Sequence, residues 1–428
     1  NGDAADDYFG WSVDLVHTGT GLVVSAPGND GGGSSSGQVK VFENILGTWT
    51  QIGSSVFGTS GDAITKSVTV SGDASTFAYG SITGGYVQPM RYLSIGCTDP
   101  AACNYDANAT TDDGSCILSN CVTNITKDTY HSTVQLAVDN STSGDTIIMD
   151  SGTYSENVII NSSSIVLASK YLTTGDSTYI DATIIDANNS GSAIVLSNIN
   201  YTSTTLDFSL IGFIMKNGYV ASSNNSNGSA LYINHGVNSV NLDRISITSS
   251  TAQLGGGICW NPQDPNYSGS SLIVKNCFID NNNASDGGGV FVNELDRFEL
   301  YNSVISNNVV TVDGGGINTR SDTSIIVNST IVNNEAGPGR YGSGIWLGGS
   351  NFDHHVLINS IFYGNYRYGD TYQTNVHLSQ GSVYAYNNYV GVAGNNAFGF
   401  SLVEDQNNIG LNTSPFVDIS NNDFNLSN

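Results

Sequence analysis

Between Gly96 and Cys121 the chain reads GCTDPAACNYDANATTDDGSCILSNC, and two kinds of chemistry crowd into it. Oxygen-bearing side chains alternate at Asn104, Asp106 and Asn108, with Asp112 and Asp113 following. A hard cation such as calcium takes about six to eight oxygens, and a segment of this kind can supply them. Cys97, Cys103, Cys116 and Cys121 are four of the 6 cysteines in the chain, a density that suits an oxidising compartment. Four cysteines allow three pairings, and the spacing does not choose among them. Closing a loop of about 15 to 20 residues contributes about 3 kcal/mol in chain-entropy terms. The same residues also suit an Asx-rich knot held by two disulfides, so both readings stand at this point. Cys259 and Cys277 lie in repetitive sequence and read as buried thiols.

A second set of candidate residues comes from a repeat. Glycine markers open at Gly228, Gly255, Gly287, Gly314 and Gly342, in steps of 27, 32, 27 and 28 residues. If the aliphatic residue closing each marker points inward, alternation sends the next residue outward. The outward row is then Tyr232, Cys259, Phe291, Asn318 and Trp346, with a second outward row of Asn234, Asn261, Asn293, Arg320 and Gly348. Ile233, Trp260, Val292, Thr319 and Leu347 form the inward row. Aromatic faces beside amide and guanidinium donors are what a sugar chain needs, stacking on the first and hydrogen-bonding to the second. Tyr232, Asn234, Asn261, Phe291, Asn293, Arg320 and Trp346 are therefore the candidate glycan-binding residues. A one-residue slip in register exchanges the rows, and a loop or neighbouring subunit can equally cover an aromatic row. Asn276, Asn302, Asn328, Asn359 and Asn387 recur in steps of 26, 26, 31 and 28. Once per coil, their amides are placed to form a hydrogen-bonded ladder.

Catalytic signatures are absent from the linear sequence, and no catalytic residue is assigned. A β-eliminating lyase needs a cation and a basic residue at the α-carbon. The candidates Lys127, Lys170, Lys216, Arg244, Lys275, Arg297, Arg320, Arg340 and Arg367 come about one per coil and never paired. A hydrolase of stacked coils needs clustered aspartates, and the adjacent pairs Asp6–Asp7 and Asp112–Asp113 both precede the repeat. No HExxH spacing and no Gly-x-Ser-x-Gly elbow with partners occurs.

The elements that position these residues follow from composition and period. The 428 residues carry 12 Lys+Arg against 37 Asp+Glu, a formal charge of -25. Such a polyanion is repelled by phosphate backbones and anionic lipid, which argues against nucleic acid and membrane-surface partners. No run of about 18 apolar residues is present, so no span is expected. With 50 glycines and abundant Asn, Ser and Thr, turn-rich β structure is favoured over helix. Asn-x-Ser/Thr sequons, including Asn108, Asn161, Asn227, Asn283 and Asn328, permit glycosylation without indicating it. Two markers in phase near 27 residues, period-2 strands and no helical pattern fit a right-handed parallel β-helix over residues 122–428. About nine or ten coils stacked about 4.8 Å apart give a rod roughly 45 Å long. Thr133 to Val138 are expected to form a short helical cap before the first strand, TIIM. Residues 1–95 alternate in short runs and repeat with a slip of 55, SVDL at Ser12 matching SVTV at Ser67.

Three stretches resemble known families. DDYFGWSVDLVHTGTGLVVSAPGND with GQVKVFENILGTWTQIG resembles FG-GAP-like β-propeller repeats of secreted bacterial surface proteins, which implies four-stranded blades. Fewer than two blades are present, against the about four to eight of a propeller. GCTDPAACNYDANATTDDGSC resembles a short cysteine-rich module of exported marine bacterial proteins, here residues 96–121. STVQLAVDNSTSGDTIIMDSGTYSENVII, YLTTGDSTYIDATIIDANNSGSAIVL and SPFVDISNNDFNLS resemble pectate-lyase-like β-helix domains of large exported proteins, especially type IX secretion cargo. The likeness covers about 300 residues and implies the fold; such domains serve as enzymes, adhesins and stalks alike.

The expectation is therefore an all-β, extracellular, secreted or surface-attached chain: propeller-like repeats, a cysteine-rich and calcium-binding insert, and a β-helix. Its function is expected to be non-catalytic adhesion, with extracellular glycans or neighbouring surface subunits as partners. A polysaccharide lyase or glycoside hydrolase is the alternative. Asn1 falls in the middle of a repeat, which reads as a piece of a longer or processed chain.

Overall fold

The computed structural model describes residues 2–45, 48–72, 76–81, 83–91, 95–107, 109, 111–198, 206–220, 230–262, 269–350, 353–369, 373–391, 404–411, 414–418 and 423–426. The chain divides into two units, Asn1–Cys116 and Ile117–Asn428. It is all-β, with 4% helix.

In the first unit, Val13–Leu15, Gly21–Ala26, Gln38–Ile45 and Thr48–Phe57 make a four-stranded antiparallel sheet. Ile64–Val70, Thr76–Ser81 and Tyr86–Arg91 make a three-stranded one. The inward residues of both, Val23, Val39, Ile64, Val68, Phe77 and Tyr79, share one core. The two copies of the slipped repeat touch. Ser12 Oγ accepts the Val68 N–H at 3.2 Å, and Asp14 Oδ2 accepts the Val70 N–H at 2.9 Å and the Thr69 hydroxyl at 2.8 Å.

Of the three pairings open to the crowded cysteines, the one formed is Cys97–Cys116 with Cys103–Cys121. Cys259 and Cys277 are free and buried.

The second unit is a parallel β-solenoid of about seven turns. The markers led to an expectation of nine or ten coils, more than this, although one face carries a sheet of 10 parallel strands from Gly152–Tyr154 to Ile409–Leu411. Each coil contributes a first-face strand such as Ser271–Lys275, a second-face strand such as Phe278–Asp280, and a third-face strand such as Ile258–Trp260. In two coils the third face runs without a break into the next first face, through Val290–Tyr301 and Ile317–Val327. One continuous aliphatic core fills the interior, from Val122 to Val390.

The starting edge is covered as stacked strands require. Val122–Asn124 pairs antiparallel with both Thr129–His131 and the first strand, Thr146–Met149. A short helix, Val134–Asp139, follows its N-cap Thr133, whose hydroxyl accepts the Leu136 N–H at 3.1 Å. Glu156 accepts the two free N–H groups of Val134 and Gln135 at 2.9 Å each.

Asparagines bridge the coils in several rows, and the strongest of them is not where the sequence placed it. Asn276, Asn302, Asn328, Asn359 and Asn387 occupy exposed corners in the left-handed region, with φ of 48 to 56°. Asn302 donates to Asn276 at 3.5 Å and Asn328 to Asn302 at 3.3 Å, both long. Six residues further along, Asn282, Asn308, Asn334 and Asn365 are buried. Asn282 Nδ2 donates to Asn308 Oδ1 at 3.1 Å, Asn308 to Asn334 at 2.9 Å, and Asn334 to Asn365 at 2.9 Å. Each of these amides also donates to a core carbonyl, those of Ile247, Ile279, Ile305 and Ile331. Each acceptor oxygen in the run additionally takes the backbone N–H of the coil before. Replacing Asn308 by Ala leaves buried groups of two neighbouring coils without partners and is expected to cost about 2 to 4 kcal/mol. Asn302→Gly, at the exposed corner, is expected to cost under about 1 kcal/mol. Urea denaturation of both variants checks the ranking, and equal midpoints would refute the buried ladder's priority.

A buried histidine lies on the first face. His355 lies against Ser324 of the preceding coil, beside the buried hydroxyls of Ser321 and Thr319, which bond Ser321–Ser324 at 2.8 Å and Thr319–Ser321 at 2.9 Å. Neither of its ring nitrogens has a partner among the described residues, and burial depresses the imidazole to about 4. The unfolded chain therefore binds the proton first. Stability present above the ordinary histidine value of about 6.5 is lost as the pH falls toward 4, by about 3 kcal/mol. His355→Leu should flatten the fall in urea midpoint between pH 7 and 4; an unchanged slope would assign the acid sensitivity elsewhere.

Candidate functional site

The outward rows form on the third face in the expected register. Tyr232 pairs with Cys259, Cys259 with Phe291, Phe291 with Asn318, Asn318 with Trp346, and Trp346 with His377. Asn293 pairs with Arg320 in the second row and donates to Asn261 Oδ1 at 3.2 Å. The inward partners Ile233, Trp260, Val292, Thr319 and Leu347 are all buried.

Register and exposure part company, however. Cys259, Phe291 and Asn318 are buried although they point outward, whereas Tyr232 and Trp346 are half-buried. The glycine markers lie against these side chains. In the four markers among the described residues the first glycine is left-handed, Gly287 at φ 63° and Gly314 at φ 68° for example, and the chain comes close to the outward residue four positions on. A Cβ on Gly287 would stand 2.7 Å from that of Phe291, and one on Gly314 2.6 Å from that of Asn318. Trp346 lies over Gly348, which ends the second row without a side chain.

Arg320, expected as a hydrogen-bonding donor beside the rings, instead covers them. Its guanidinium sits 5.7 Å from the Phe291 ring centre and 5.5 Å from that of Trp346. It remains exposed, and among the described residues no carboxylate oxygen lies within ion-pair distance of it. Six other cations of the solenoid are paired: Lys127, Lys170, Lys216, Arg244, Lys275 and Arg297.

A third row, unforeseen from the sequence, borders these two. Asp286 and Asp313 each precede a glycine marker and stand one coil apart, with the Gly287 N–H donating to the Asp313 carbonyl at 3.1 Å. Leu254 and Tyr341 hold the equivalent positions before Gly255 and Gly342. Asn318 donates to Asp286 Oδ1 at 2.6 Å, and the Tyr341 N–H donates to Asp313 Oδ1 at 2.7 Å. Burial pushes Asp286 up to about 6, against the Asn318 hydrogen bond and the attraction of Arg320, while the charge of Asp313 adds to the rise. Tyr341 stacks on His377 at 4.6 Å, and Arg367 lies 5.6 Å from the Tyr341 ring centre. Burial lowers the His377 imidazole, with Asp313 pulling the other way. The repeat thus places two aspartates one coil apart. The sequence signal was the pair DGGG at Asp286 and DGGG at Asp313.

In the cysteine-rich segment several of the candidate side chains make local hydrogen bonds. Asn104 Nδ2 donates to the Ser115 carbonyl at 2.7 Å, Asp112 Oδ1 accepts the Gly114 N–H at 3.0 Å, and Asp113 Oδ1 accepts the Ser115 N–H at 2.9 Å. The Ser115 hydrogen bonds, side chain and then backbone, lower the Asp113 carboxyl. Asp106 lies beside Gly96, and Asn108 falls outside the described residues. Among the described residues, no three His, Cys, Asp or Glu side chains converge as a metal site.

Comparison with known proteins agrees with this picture only at the N-terminus. Residues 1–42 match the FG-GAP repeat family. No curated protein matches the chain. Two disulfides and the FG-GAP repeat fit an extracellular chain, and no helix among the described residues is long and apolar enough to cross a membrane.

Because Asp286 is held well above the ordinary carboxylate value, its ionisation opposes folding. Between about pH 4 and 6 the folded state binds the extra proton, so stability falls as pH rises through that window. Asp286→Asn is expected to stabilise the protein at pH 7 by up to about 3 kcal/mol and to do nothing at pH 4. Thermal melts at the two pH values check this, and a destabilised variant at pH 7 would contradict it.

Proposed function

We propose that the chain is a non-catalytic extracellular surface or adhesion protein whose solenoid presents its third face to glycans. One observation carries this reading: Arg320 lies within cation–π distance of both Phe291 and Trp346, exposed and without a carboxylate partner among the described residues, near the amides of Asn261 and Asn293. A guanidinium held beside two rings presents its forked donors to oxygens of a ligand. Tyr232 and Trp346 offer the accessible ring surface, and Asn234 a further amide.

The wider identity belongs to the same proposal: a pectate-lyase-like module of a large exported protein of the type IX kind, able to pair with neighbouring subunits. Calcium bound near Asn104, Asp106, Asn108, Asp112 and Asp113 is proposed with it. An acidic chain of formal charge -25 favours such a cation.

A second reading has its own support. Asp286 and Asp313 on adjacent coils, one raised to about 6 by burial, resemble the unequal carboxyl pair that glycoside hydrolysis uses as acid and base. Affinity electrophoresis through gels carrying neutral and acidic polysaccharides separates the two, with the polymer's chain length measured afterwards. Retention with intact polymer, lost in Arg320→Ala and Trp346→Ala but kept in Asp286→Asn, is the expected result. Shortened polymer that Asp286→Asn leaves intact would replace adhesion by hydrolysis.

A further inference from the structure

Asp286 is placed between groups of opposite effect. From the strand Ile317–Val327 it faces the Asn318 amide, which donates to Oδ1 at 2.6 Å, and the charge of Arg320. From the turn ahead of that strand it faces Asp313, whose own Oδ1 is held by the Tyr341 N–H. From the coil behind come backbone contacts alone: its N–H donates to the Gln253 carbonyl at 3.2 Å and its carbonyl accepts the Gly255 N–H at 3.1 Å. The strand that follows its glycine marker, Val290–Tyr301, carries Phe291, which Arg320 approaches. Further along the row, His377 and Arg367 meet Tyr341, and His377 feels Asp313.

We propose that Asp286 is a proton switch for this face: ionised, it offsets the charge of Arg320, and protonated, it leaves that charge to an anionic group of the ligand. This rests on the glycan-binding reading. The geometry suits a switch that moves charge and little else. A neutral carboxyl still accepts from Asn318 through its carbonyl oxygen, and the backbone of Asp286 is pinned on both sides by the coil behind. Arg320 stays charged throughout, and its bed of rings fixes it whether or not Asp286 is ionised. The raised carboxyl puts the change between neutral and mildly acidic conditions.

The experiment uses the full chain, with dextran sulfate and unmodified dextran as probes at pH 7.5 and 5. Wild-type affinity for dextran sulfate should rise about three- to tenfold at the lower pH, the effect of one partly screened charge, with no change for dextran. Asp286→Asn should bind at both pH values as the wild type does at pH 5, and Arg320→Gln should lose the gain. An Asp286→Asn variant that keeps the wild-type pH dependence overturns the switch. A second readout does not require a ligand. Trp346 emission, taken as wild type minus Trp346→Phe, should titrate with a midpoint near 6, and Asp286→Asn should abolish it. If neither polysaccharide binds at any pH, the glycan reading fails, and this titration alone decides: a midpoint removed by Asp286→Asn upholds the switch, and a flat trace ends it.

Discussion

The buried amide run through Asn282, Asn308, Asn334 and Asn365 is the constraint on which the rest of the solenoid depends. An aliphatic core resists water but sets no register, because isoleucines slide past one another at little cost. A side-chain amide buried in that core has to find two acceptors and at least one donor. Here each finds them in the coil before and the coil after, and a slip of one residue would orphan every member at once. The penalty for an unmade buried hydrogen bond exceeds the gain from a made one, so the run acts chiefly by excluding other registers.

That constraint reaches the third face through glycine. The last glycine of each of the four markers from Gly255 onward lies against a ladder amide. A Cβ on Gly289 would be 3.1 Å from Asn308 Nδ2, and one on Gly316 3.0 Å from Asn334 Nδ2. The two sequence markers keep phase because they touch. Once the amide is fixed, so is the turn. The left-handed first glycine then decides how far Phe291 and Asn318 are covered and where Asp286 and Asp313 stand. A loop insertion such as the longer step from Asn334 to Asn365 is absorbed without losing the ladder, since Asn334 still donates to Asn365 at 2.9 Å. Coil length is therefore free where the site is not.

The parallel solenoid, its third-face register and the helical turn after Thr133 were legible, because each rests on a local pattern: period 2 in the strands, period near 27 in the markers, and a capping hydroxyl ahead of an apolar run. What failed to show was which asparagine points in. In NCFIDNN both Asn276 and Asn281 take left-handed angles, φ 56° and 54°, and each such corner resets the alternation that strand reasoning extrapolates. Exposure was hidden for a related reason. Phe291 faces outward by register, yet its cover comes from a turn whose direction depends on a glycine angle. Asp286 and Asp313 escaped because a search for neighbouring acids looks along the chain, whereas in a solenoid the nearest neighbour lies one coil away.

Holding a glycan and cutting one place opposite demands on these two aspartates. A hydrolytic pair needs one carboxyl free to hand a proton to a leaving oxygen and another free to meet the anomeric carbon or a water. Asp286 meets the first demand in its raised carboxyl, but one of its oxygens is occupied by Asn318. Asp313 meets the second less well, since the Tyr341 N–H occupies one of its oxygens and its backbone is tied into the turn of the coil behind. Binding asks less of them. It requires only that their charges tune the guanidinium beside them, and groups held rigidly by backbone hydrogen bonds do that without moving. The same fixity that makes these carboxyls poor at exchanging partners makes them good at setting a local field, and this tips the reading of the face toward recognition.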